Sequence, residues 1–174
     1  GLVGANYLVE FSDSPDFPTL ISNSEKYFTD VVGDGDIDYV AFEVPAGAAF
    51  DKFVLADYAG SDQLGFYALV EGGTFDDDVL NSITENNQSA LDSNSEVIAF
   101  GHFGTSSGAE SGVVNIGDSI LTEGLKASSA DALDPGFYTM LIQNTGADRI
   151  AYKFDFGQGL VVAQLDDELT GAAY

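Results

Sequence analysis

The chain contains no cysteine. That removes disulfide frameworks, thiolate zinc centres and cysteine nucleophiles in one step. It has no tryptophan, one histidine (His102), and five Lys+Arg against 29 Asp+Glu. A single histidine excludes zinc hydrolysis built on several imidazoles. So few cations leave no basic patch to meet phosphate, and the net charge of −24 repels nucleic acid and anionic lipid. No apolar run approaches the roughly 18 residues that a membrane-spanning helix requires. Phosphate-cradling loops are missing as well, because Gly101-His102-Phe103-Gly104 and Gly117-Asp118 lack the lysine and the strand-to-helix context. Gly1 stands where an initiator methionine would. The expectation is a mature chain whose export signal has been removed, or one trimmed for expression.

What is present is enough for a core. The 174 residues (18.3 kDa) are 45% hydrophobic and 12% aromatic, which fits one domain over 1–174. The acidic excess favours solubility and cation binding, and suits salty or calcium-containing water where self-repulsion is screened. Glycine is abundant and proline scarce. Short Val/Ile/Phe/Tyr-rich stretches alternate with Gly/Asp/Ser/Asn clusters, the pattern of strands and turns. Strands are expected at Tyr7–Phe11, Asp38–Val44, Phe50–Asp57, Gly65–Val70, Glu96–Phe103, Phe137–Gln143, Ile150–Phe156 and Gly159–Gln164. The Asp38–Val44 stretch alternates most clearly, with Val40, Phe42 and Val44 predicted to face a core free of charge. Asp76–Asn81 and Val114–Leu121 read as short helical turns, and 76–96 as a long polar surface excursion. Together these predict an all-β fold, an antiparallel, jelly-roll-like β-sandwich with short helical turns in its loops. The Asn87-Gln88-Ser89 sequon is too short a pattern to carry weight.

Two stretches carry a resemblance. One is Gly35-Asp36-Ile37-Asp38-Tyr39-Val40-Ala41-Phe42-Glu43-Val44-Pro45-Ala46-Gly47; the other is Asp134-Pro135-Gly136-Phe137-Tyr138-Thr139 through Gly146, followed by Tyr152-Lys153-Phe154-Asp155-Phe156. In order and spacing they resemble bacterial pre-peptidase C-terminal domains, and still more the related exported proteins of cyanobacteria and other aquatic bacteria. His102-Phe103-Gly104 and the opening from Ser12 to Thr19 fit the same pattern, so the resemblance covers about 11–156. It implies an extracellular, non-catalytic β-sandwich, often calcium-associated or adhesive. The stretch 72–133 is longer than that family's compact form, and 1–10 and 157–174 lie outside the matching core.

Asp30, Asp34, Asp36 and Asp38, with Gly33 and Gly35 between them, form the densest regular acidic cluster. Alternating carboxylates in a flexible turn suit Ca2+, which prefers oxygen ligands; the competing reading is a solvated hairpin turn with one Asp capping backbone. Asp76-Asp77-Asp78 is a weaker candidate of the same kind, and Asp16, Asp57 and Asp62 could complete a shell from other loops. His102, between Phe100 and Phe103, reads as a packed strand residue rather than a general base, since no nucleophile elbow accompanies it. Carboxylate pairs for glycoside hydrolysis do not stand out among so many acids, and no indole is present as a sugar platform. Phe and Tyr read as core, with Tyr138 placed for a hydroxyl-to-backbone corner contact.

The functional expectation is a non-enzymatic, exported structural protein that polymerises with itself into a filament, sheath or layer. The alternative is an adhesive module binding carbohydrate or protein; a hydrolase is the weakest reading. The assembly segments are 1–11 and 157–174, through Leu2, Val3, Tyr7, Leu8, Val9, Leu160, Val161 and Val162. Such apolar, strand-prone segments invite pairing with a neighbour's sheet edge; the competing reading is that both ends pair within their own sandwich as ordinary edge strands.

Overall fold

The computed structural model describes residues 11–16, 18–21, 27–47, 50, 52–105, 113–126 and 132–156. Nine strands and three short helices are found among them: β1 (Thr19–Leu20), β2 (Tyr27–Val32), β3 (Ile37–Val44), β4 (Val54–Gly60), β5 (Leu64–Glu71), α1 (Asp77–Thr84), α2 (Gln88–Ser93), β6 (Val97–Gly104), β7 (Val113–Asn115), α3 (Ile120–Glu123), β8 (Gly136–Asn144) and β9 (Ile150–Asp155). They form two sheets, a six-stranded one in the order β1-β3-β8-β5-β6-β7 and a three-stranded one in the order β2-β9-β4.

The main core lies between the sheets. Val40, Phe42 and Val44 of β3 face it at 0%, 0% and 1% exposure, as their alternation predicts. Phe42 meets four other rings there: Phe50, Phe53, Tyr138 and Phe156, with centroids 5.3–5.8 Å away. Burying each large side chain of this kind contributes about 1.5–3 kcal/mol. β5 and β6 approach so closely that a Cβ on Gly65 would stand 2.5 Å from Phe103 Cζ, so glycine is needed for the ring to sit. Tyr138 makes the corner contact as well as filling core, its hydroxyl donating to Asp134 O at 2.8 Å.

The second face of the large sheet is covered over part of its area. Tyr39, Ala68, Val70, Phe100 and Leu141 on that face pack under Phe75, Val79 and Leu91 of the helical segment. β3 is therefore buried on both faces from Asp38 to Phe42, which its two-phase reading did not predict. The 76–96 segment lies at the surface as expected, and its two helices also cover part of the sheet through Val79 and Leu91. Asp76 caps α1, its carboxylate accepting from Val79 N at 2.8 Å, and Asp77 and Asp78 lie in the first turn, where the helix dipole favours negative charge. Val79, Leu80 and Ile83, at helical spacing, then turn to the sheet. Asn87 caps α2 by accepting from Ala90 N.

The architecture departs from the expected all-antiparallel sandwich. β1 and β7, the two edge strands of the large sheet, pair in parallel with β3 and β6, so the large sheet is mixed. Such two- and three-residue edges carry no alternation from which to read direction. The tight turn at 33–36 joins strands of different sheets, so it is an arch and not a hairpin. Tyr27–Val32 is a strand the patterning did not single out; of the helical turn expected at 114–121, the start is strand (β7) and only Ile120 and Leu121 are helix (α3). Phe50 contributes only an isolated bridge to Leu133, with regular strand beginning at Val54. The expected strands at 7–11 and 159–164 lie outside the described residues, apart from Phe11. No described helix is long and apolar enough to cross a membrane.

Candidate functional site

The four aspartates of the 30–38 segment are given different work. Asp30 on β2 and Asp38 on β3 both turn inward, at 6% and 4% exposure. Asp38 shares the phase of Val40, Phe42 and Val44, so the expected charge-free face carries a carboxylate at one end. It is accommodated by the hydroxyl of Tyr152, which donates to Asp38 Oδ2 at 2.9 Å across the two sheets. Burial, reinforced by the Asp38 charge and this hydrogen bond, holds the Tyr152 phenol well above its ordinary pKa. Asp30 pairs in register with Tyr152, and its Oδ2 accepts from Phe11 N at 3.0 Å. Asp36 accepts from Ile37 N at 3.1 Å at the arch, and Asp34 is exposed at its tip. Gly35, at φ +68°, supplies the left-handed residue that the arch requires.

The other acidic candidates disperse. Asp62 Oδ2 accepts from Asp148 N at 2.6 Å, Asp57 from Tyr58 N, and Asp16 is exposed on a separate turn. Among the described residues, no group of three or more His, Cys, Asp or Glu side chains is placed to hold a metal ion.

His102 stands on the outer face of β6, edge-on to Phe66 with ring centroids 5.7 Å apart. Strand register sets Gln143 of β8, Phe66 of β5 and His102 of β6 side by side in one row across the sheet. The next row, Leu141-Ala68-Phe100, lies under the helices, which stop short of the first. A cavity of about 160 Å³ opens there, with Phe66 and Phe100 beneath and Ile83, Asn86, Gln88 and Leu91 along the helical side. Leu125 faces them, and Thr145 closes one end. Asn86 adopts φ +53° at the α1–α2 junction, a conformation asparagine tolerates better than most residues. A second hollow of about 280 Å³ adjoins it, sharing Gln88, Phe100 and Leu125 and adding Ser89 and Asp92. Lys126 fixes the Leu125 wall by donating to Leu91 O and Asn94 O at the end of α2, and desolvation lowers its pKa.

Comparison with family models, curated proteins and solved structures finds no match.

The two flanks of the sandwich differ. Tyr58 of β4 meets Phe103 of β6, and that flank is backed by chain 117–120. Leu55 N donates to Asp118 O, Gly117 N to Leu55 O, and Ile120 N to Phe53 O, at 2.8–3.1 Å. On the flank of β2 and β3, the described chain beside β3 consists of short pieces. Tyr39 N donates to Ser12 O at 2.8 Å, Ile21 N to Ala41 O at 2.7 Å, and β1 between them is two residues long. Leu20, on β1, is 64% exposed. The assembly residues Leu2, Val3, Tyr7, Leu8, Val9, Leu160, Val161 and Val162 lie outside the described residues. The cleft is what the sequence reading missed, since only register makes neighbours of positions 66, 102 and 143.

Proposed function

We propose that this protein is a non-catalytic, extracellular structural subunit that assembles with copies of itself into a filament, sheath or layer by strand donation. Its finer fold is a jelly-roll-like β-sandwich with a helical layer added to one face. The observation that carries the reading is the contrast between flanks: one is backed by 117–120, while among the described residues the eight-residue β3 is met on its outer edge only at 39–41, by Ser12 and 19–21. A donated apolar strand from 1–11 or 157–174 of a neighbour adds main-chain hydrogen bonds along such an edge. Donor and acceptor differ, so the contact is head-to-tail and propagates. The charge of −24 opposes subunit packing, and Ca2+ is the proposed promoter, screening and bridging exposed carboxylates such as Asp34 and Asp36. The resemblance to exported pre-peptidase C-terminal-like proteins supports the extracellular placement.

Electron microscopy of the full chain, with calcium and with chelator, tests this. Ordered fibres or sheets are expected, lost on deleting 1–10 while circular dichroism still reports a folded, soluble core. Assembly unchanged by that deletion removes the N-terminal strand from the mechanism, and monodisperse particles under all conditions defeat the reading. The cleft on the outer face favours the second reading, an adhesive carbohydrate- or protein-binding module.

A further inference from the structure

We propose that the cleft between the α1–α2 junction and the Gln143-Phe66-His102 row binds one uncharged sugar ring of a glycan. This deepens the adhesive reading and is independent of self-assembly. The first argument is charge. The chain carries 29 acidic residues, yet the described residues that line the cavity at Phe66 include no Asp, Glu, Lys or Arg. Among these residues a phosphate, carboxylate or ammonium ligand would find no fixed opposite charge, and an anion would in addition meet the repulsion of the whole molecule.

The second argument is the type of polar group. Asn86, Gln88 and Gln143 bring three amides and Thr145 a hydroxyl. Each amide both donates and accepts, as a sugar hydroxyl does, and the Thr145 hydroxyl, which donates to Leu64 O, remains an acceptor. The third is the floor. Phe66 and Phe100 present apolar surface to the interior of the cleft, which suits the C–H face of a pyranose while its hydroxyls reach the rim. The fourth is size. A cavity of about 160 Å³ is well below the roughly 300–1,000 Å³ of drug-sized sites and suits a single ring. The adjoining hollow past Leu125 gives the next residue of a chain somewhere to lie.

The test uses the full chain, isotope-labelled, titrated with methyl glucoside, methyl galactoside and methyl mannoside up to tens of millimolar. Glucuronate, glucosamine and an uncharged Asn/Ser-containing tripeptide serve as comparisons. At least one neutral glycoside is expected to shift the signals of Phe66, His102 and Gln143 saturably. Gln143→Ala, at a half-exposed position, is expected to weaken that binding about tenfold with an unchanged melting temperature. Phe66→Ala gives a second variant, expected to abolish it. The proposal is overturned if no neutral glycoside produces saturable shifts in this row, or if both variants bind as the parent does. Equal or tighter binding of either charged sugar, or of the peptide, overturns it as well.

Discussion

The two faces of the large sheet are covered in different ways. The inner face meets another sheet, and its Phe and Tyr side chains close into one aromatic cluster that includes Phe42, Phe53, Phe103, Tyr152 and Phe154. The outer face meets two helices of eight and six residues, too short to span six strands. A sheet can match a sheet strand for strand, whereas two short helices cover only the rows directly beneath them. The dry face serves stability, and the partly covered face leaves a cleft. This asymmetry leaves the row Gln143-Phe66-His102 lining an open cleft, while the buried Asp38–Tyr152 pair is held between layers.

The comparison is broken most severely by emptying the inner face. Phe42→Ala removes a ring packed against four others and is expected to cost about 3–5 kcal/mol. Leu91→Ala, beneath the outer layer, is expected to fall near the lower end of the 2–5 kcal/mol range, because its surroundings are closer to water and can relax. Urea denaturation of the two variants checks the ranking. A larger loss from Leu91→Ala would mean the helical layer, and not the inter-sheet core, dominates stability.

A smaller effect probes the inner face by pH. Burial raises the phenol pKa of Tyr67, of Tyr152 (with Asp38 adding to it) and of Tyr58, the last to about 12 with Asp62 adding to it. A phenol whose folded pKa lies above its unfolded value of 10.0 contributes stability that is fully present below that value. That contribution is lost as pH rises from there through the folded pKa. The fold is therefore expected to hold through neutral pH and to weaken above pH 10, with phenolate absorbance and loss of β circular dichroism rising together. Tyr152→Phe is expected to cost about 1–3 kcal/mol at neutral pH, because Asp38 loses this donor, and to flatten the alkaline decline. Independent ionisation of these phenols in the intact fold would contradict their burial.

Much of the inner face could be read in the sequence, because a period of two in Val40-Phe42-Val44 reports burial directly and Tyr138 sits where a corner hydroxyl belongs. Asp38 could not. It shares the inward phase, but an acid at a strand start reads as solvated until a hydroxyl 114 residues away is known to reach it. The helical layer was half legible: Asp76 and the 79, 80, 83 spacing mark α1, whereas α2 buries only Leu91 and resembles a loop. The acidic turn misled for a related reason. Spacing shows that carboxylates are near in sequence, but β2 and β3 belong to different sheets, so Asp30 and Asp38 are drawn inward while Asp34 stays at the tip. The cleft had no local signal, since its row comes from three strands.

The smallest expected effect is also the most selective probe of the two-face comparison. Asp76 caps α1 through Val79 N, and loss of such a cap costs about 1 kcal/mol. Asp76→Ala should fray the first turn of α1, loosening the anchorage of Phe75 and Val79 over Tyr39 and Val70. Nothing in the inter-sheet core touches that cap, so the opening should remain local. Hydrogen exchange is the appropriate measurement. Amides of α1 are expected to exchange several-fold faster, while those of β8 and β9 keep their protection apart from the small global change. Equal acceleration in β9 would show that the helical layer and the sandwich open as one cooperative unit. In that case the outer face could not admit a ligand by local adjustment alone, and the cleft would have to be complete in the resting fold.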